Sequence, residues 1–132
     1  MPPTDVPRGS AADWLRHARS DLALAKSLPA DLDVLPETLC FHAQQSVEKA
    51  IKAVLVHLGV AFLKTHNIGV LIDMLPPQFP RGAALDEASL LTDYAVSSRY
   101  PGEAEDVTQE ELSTAVRIAE RVLVWASDVA VG

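Results

Sequence analysis

The stretch from Pro36 to Leu58, PETLCFHAQQSVEKAIKAVLVHL, constrains the fold more than any other part of the chain. Turned by about 100° per residue, it gathers Leu39, Ala43, Val47, Ala50, Ile51, Val54, Leu55 and Leu58 on one broad arc. His42, Gln44, Gln45, Glu48, Lys49 and Lys52 fall on the other. Phe41 and Val56 intrude on that polar arc, so it too is expected to be partly covered. Pro36 suits a first helical turn and Gly59 a C-terminal stop. A helix with so wide an apolar arc needs other elements around it.

Those elements are also helical, since no segment shows a two-residue alternation. Ser10-Ala-Ala-Asp13 reads as a capping box opening a helix to about Leu28, with Trp14, Leu15, Ala18, Leu22 and Ala25 on its core stripe. A short helix is expected from about Asn67 to Leu75, ended by the prolines of PPQFPRG, and another from Ala84 to Ser98 with Leu85, Leu91, Tyr94 and Ala95 inward. Pro101-Gly102 stops it, because proline disfavours helical geometry in the residue before it. Thr108-Gln-Glu-Glu111 caps the last helix, Gln109 to about Val129, whose apolar face carries Leu112, Ala115, Val116, Ala119, Val122, Leu123, Ala126 and Val129. The expected architecture is all-α, an up-and-down antiparallel bundle of four main helices plus a short one. Surplus apolar surface, Phe41 included, points to a homodimer.

The 132 residues suit one domain, and 48% hydrophobic content is enough for one core. We expect a mobile tail over 1–10 and a single domain over 11–132. The first ten residues, MPPTDVPRGS, lack the apolar region of a secretory signal, and no apolar run approaches the roughly 18 residues of a membrane span. A single cysteine, Cys40, allows no intramolecular disulfide and suits a buried hydrophobe in a reducing cytoplasm. The net charge of −7 disfavours extended nucleic acid and anionic membranes as partners.

Metal-site and nucleotide-fold signatures are missing, and no cofactor is implied. His42 and His57 stand too far apart to share a metal on one helix face. From His42 to His66, however, Glu48 is the one acid against Lys49, Lys52 and Lys64, with three histidines besides. Gln45, Lys49 and Lys52 recur at helical spacing and offer amide and ammonium donors to a phosphate or nucleobase. The plainer reading is a solvated face with Glu48 paired to Lys52 at i,i+4, worth about 0.2–0.5 kcal/mol. Arg99, in SSRYPGEAED, has the same two readings. It is a cation favoured at a helix C-terminus and near acids, or a guanidinium suited to bidentate phosphate contact.

Three segments in order, FHAQQSVEKAIKAVLVHLGV (41–60), KTHNIGVLIDML (64–75) and YAVSSRYPG (94–102), resemble HEPN domains (higher eukaryotes and prokaryotes nucleotide-binding). With the opening DWLRHARSDLALAK and the final helix, the resemblance spans roughly residues 11 to 130. It implies an up-and-down helical bundle, commonly a homodimer. Many prokaryotic members act with a minimal nucleotidyltransferase in two-component, often toxin–antitoxin, systems, and others bind nucleotides or substrates. The positions matching the family's motifs are Gln45, Glu48, Lys49, Lys52, Lys64, His66, Arg99 and Tyr100. The ribonuclease branch resembles Arg, four to six residues, then His, but none of the thirty-three residues after Arg99 is histidine. The resemblance therefore implies a nucleotide- or substrate-binding protein with no catalytic residue. A metal-independent ribonuclease toxin using a displaced histidine such as His66 is the alternative, and a pure dimerisation module the third.

Overall fold

The computed structural model describes residues 9–27, 33–91 and 107–131. Over these the chain forms α1 (Ala11–Ser27), α2 (Pro36–His57), α3 (Ile68–Asp73), α4 (Gly82–Ala88), a 3-10 turn (Ser89–Leu91) and α5 (Gln109–Val131). No strand occurs among the described residues.

The helix starts follow from their capping residues. Ser10 Oγ accepts the Asp13 N–H at 3.1 Å while Asp13 accepts the Ser10 N–H at 3.1 Å. Thr108 and Glu111 repeat this reciprocal box ahead of α5, both bonds at 3.0 Å. Asn67 caps α3, its side chain accepting the Val70 N–H. Pro36 occupies the first turn of α2. At the other end of α2, Gly59 adopts φ +71 and its N–H reaches the Val56 carbonyl, while the Val60 N–H reaches that of Leu55. That pattern is a Schellman closure, which glycine permits at no steric cost.

Side-chain contacts fix the directions of the long helices. Arg19 bonds Ser127 and Lys26 bonds Glu120, so α1 and α5 run antiparallel. Ser46 donates to the Ala18 carbonyl at 2.8 Å, and Lys52 lies over Trp14, so α1 and α2 are antiparallel as well. Glu37 accepts the Val107 N–H at 3.0 Å and ties the start of α2 to the approach to α5. The three helices share one core, with Leu15, Ala18 and Leu22 from α1 and Val47, Ile51 and Leu55 from α2. From α5 come Leu112, Ala115, Ala119, Val122 and Ala126, all buried as their spacing predicts. Cys40 is fully buried on α2. The short helices close one flank with Ile68, Leu71, Leu85 and Leu91.

Two expectations need revision. The helix expected over 84–98 begins two residues earlier, at Gly82, whose φ of +70 turns the chain into it, and it tightens into the 3-10 turn at Ser89. Its expected continuation, with Tyr94 and Ala95, lies outside the described residues. The polar arc of α2 is partly covered, as expected, but the reading of Glu48 and Lys52 as a pair on a solvated face does not hold. Gln44, Ser46, Glu48 and Lys52 are all buried, because α1, α3 and α5 pack on different sides of this helix. No helix of the described residues is long and apolar enough to cross a membrane.

Candidate functional site

The buried part of the polar arc is organised around one carboxylate. Glu48 is 1% exposed, and its Oε1 accepts from the Gln44 amide at 3.3 Å and the Gln45 amide at 3.4 Å. Its Oε2 lies 3.0 Å from His66 Nδ1 and 4.0 Å from Lys52 Nζ. Burial pushes the Glu48 carboxyl above its usual range, against the pull of His66, Lys52 and Gln44. The Lys52 ammonium is held below its ordinary value, first by burial and also by Lys49, with Glu48 acting against both.

Lys52 is further confined by aromatic rings. Its Nζ stands 5.5 Å from the Trp14 ring centroid and 5.7 Å from that of Phe62, within cation–π range of both. Trp14 and Phe62 meet edge to face at 6.2 Å. Trp14 Nε1 and Gln44 Oε1 are buried here without a hydrogen-bond partner among the described residues. His66 differs from all of these. Its side chain is 75% exposed although it touches a carboxylate that is not. The backbone presenting it is fixed by the Asn67 N–H bond to Thr65 Oγ1 and by the Asn67 cap.

Lys49 belongs to a second cluster. Its Nζ contacts Asp21 Oδ2 at 2.6 Å, and His42 Nδ1 lies 3.1 Å from Asp21 Oδ1. Asp21 sits on α1, so this cluster bridges α1 and α2.

Of the residues singled out in the sequence, the structure brings together Gln45, Glu48, Lys52 and His66. Lys49 turns aside to Asp21, and Lys64 is exposed on the connection before α3. The i,i+4 approach of Lys52 to Glu48 exists but is buried, not a feature of a solvated face. Arg99 and Tyr100 lie outside the described residues. Sequence reasoning missed Asp21, Phe62 and the partnership of Trp14 with Lys52. Asp21 borders the apolar stripe of α1 and stands seven residues from Trp14, so both face α2, and that spacing was the available signal. Among the described residues no group of three or more His, Cys, Asp or Glu side chains is placed to hold a metal ion.

The arrangement combines a buried anion, a buried cation and an exposed imidazole, which suits contact with a polar ligand at His66 more than a deep pocket. Comparison with known proteins gives it a family. No curated protein matches the chain. The crystal structure of TT1696 from Thermus thermophilus is similar to it at TM-score 0.75 and 28% identity, covering 90% of this chain and 97% of that one. ST0689, an archaeal HEPN homologue, is similar at TM-score 0.70 and 26% identity, covering 92% of this chain and 98% of its own. The family model for the HEPN domain matches residues 11–129, and the chain belongs to the HEPN domain family.

Proposed function

We propose that this HEPN protein binds a nucleotide or another phosphate-bearing ligand without cutting it, and that it does so beside a partner nucleotidyltransferase in the cytoplasm. The observation that carries the reading is His66, an imidazole three-quarters exposed yet anchored through Nδ1 to the buried Glu48. An exposed ring fixed from below presents its other nitrogen outward, and the exposed Lys64 two residues away adds positive charge on the same connection. Gln45 and Lys52 stand behind the ring through Glu48, and Lys49, held by Asp21 in the adjacent cluster, adds a second cation on the same helix. Arg99 and Tyr100 complete the set by the family's motif. A homodimer burying the half-exposed Phe41 is part of the same proposal, as is the two-component, toxin–antitoxin type of role.

Calorimetry with ATP, GTP and a short RNA on the wild type, His66→Ala and Arg99→Ala tests it. Saturable binding by the wild type that both variants weaken supports the reading, and no binding of any of the three by the wild type ends it.

One observation favours a second reading. A carboxylate-anchored exposed histidine is also how a general acid or base is held. A ribonuclease using Arg99 with His66 as the displaced histidine predicts growth arrest on expression, relieved by either alanine variant.

A further inference from the structure

We infer that Glu48 is the positioning residue of this site, gripping the His66 ring by Nδ1 and turning Nε2 outward as the atom that meets a phosphate oxygen. For its ligand this rests on the phosphate-binding reading above, but for its geometry it does not.

A buried carboxylate is a costly feature. Taking one out of water costs several kcal/mol unless partners replace the lost hydration, and an apolar side chain of similar volume is often as stable or more so. At position 48 such a side chain would face a helical bundle whose nearby surface already includes Trp14 and Phe62. Glu48 is there instead, with one oxygen for two glutamine amides and the other for a ring that needs no rescue from burial. Its shortest contact, 3.0 Å, goes to His66, whose side chain is 75% exposed. Water satisfies an exposed imidazole without help. The contact therefore does little for the histidine's solvation and much for its orientation.

That orientation has a chemical content. When the carboxylate is ionised it can only accept, so the proton of the pair sits on Nδ1. The neutral ring then carries its lone pair on the outward Nε2, and the cationic ring carries an N–H there that can donate to a phosphate oxygen. The opposite arrangement, a protonated Glu48 donating to Nδ1, would leave the proton of the neutral ring on Nε2. The two are distinguishable by experiment. Gln44 and Gln45, both donors to Oε1, favour the accepting carboxylate, as does Lys52 beside Oε2.

The test is long-range nitrogen–proton NMR of the His66 ring in alkaline solution, followed by titration with inorganic phosphate at neutral pH. The wild type should show the neutral ring protonated at Nδ1. Glu48→Leu, which removes the acceptor but keeps an apolar volume, should return the ring to the Nε2–H form preferred by free histidine. It should also weaken phosphate binding on the order of tenfold, the value of one charge-assisted contact. Glu48→Gln, which keeps the shape and a weaker acceptor, should fall between, and guards against loss of folding in the leucine variant. A wild-type ring protonated at Nε2, or ring signals unchanged in both folded variants, overturns the inference. An Nδ1–H ring in a wild type that binds no phosphate upholds the positioning role and removes the ligand reading instead.

Discussion

The link between α1 and α2 through Asp21 gives a measurable coupling. Lys49 Nζ lies 2.6 Å from Asp21 Oδ2, and the two side chains are 27% and 15% exposed. At that separation two unit charges attract by ~6 kcal/mol at an effective dielectric of about 20, and by ~1.6 kcal/mol in bulk water. Against this stand partial desolvation of both groups and the ordering of a long lysine side chain. Fully exposed pairs net roughly 0.2–1 kcal/mol. A pair this short and this sheltered, with His42 making a second contact to the same carboxylate at 3.1 Å, should net about 1–2 kcal/mol. A double-mutant cycle with Asp21→Ala, Lys49→Ala and the double variant isolates that term, because the helix-propensity gain of each alanine cancels in the cycle. Urea unfolding supplies the four free energies. For a domain of this size each kcal/mol corresponds to about 3–5 °C in Tm, which gives an independent check. Raising the salt should leave most of the coupling in place, since screening acts mainly on exposed charges. A coupling at or below about 0.3 kcal/mol would show that the pair behaves like an open surface contact and that Lys49 is free for other partners.

Other outcomes follow from the same structure. Ile51→Ala, at a fully buried position on the helix that α1, α3 and α5 pack against, should cost about 2–5 kcal/mol in chemical denaturation. Thr108→Ala should remove one side of the capping box of α5 and cost roughly 0.5–2 kcal/mol, with α5 amides near the start exchanging faster. For Glu48, a native pKa raised by burial means that its favourable contribution is whole below the unfolded value and is lost as pH rises through the native one. The stability of Glu48→Gln relative to wild type should therefore increase as pH is raised from about 4, by about 1.4 kcal/mol for each pH unit separating the native and unfolded pKa values. A flat or falling difference contradicts the raised pKa.

Helix placement was legible because it depends on local chemistry. The two capping boxes, Pro36 and Gly59 each settle one helix end through local chemistry, and most of the predicted core positions of α1 and α5 are buried, with Trp14, Val116, Leu123 and Val129 only partly so. The site was legible only in part. Periodicity divides a helix into an apolar and a polar side, but α2 is enclosed from several directions, so its polar residues fall inside as well. Glu48 and Lys52 can remain there because Gln44, Gln45, His66 and two aromatic rings converge on them, and three of those groups come from elsewhere in the chain. Asp21 escaped notice for the same reason, since its partners are on another helix.

The placement of Trp14 has an optical consequence. The chain holds two tryptophans, and only Trp14 stands beside the Lys52 ammonium, whereas Trp125 meets Phe79 edge to face. Indole emission responds to nearby charge and to the water around it. A Trp125→Phe protein excited at about 295 nm, past tyrosine absorption, would therefore report from one indole, set against the charged pair behind His66. Any change in that pair, whether from pH, ligand or substitution at Glu48, would be written directly into the colour of its emission.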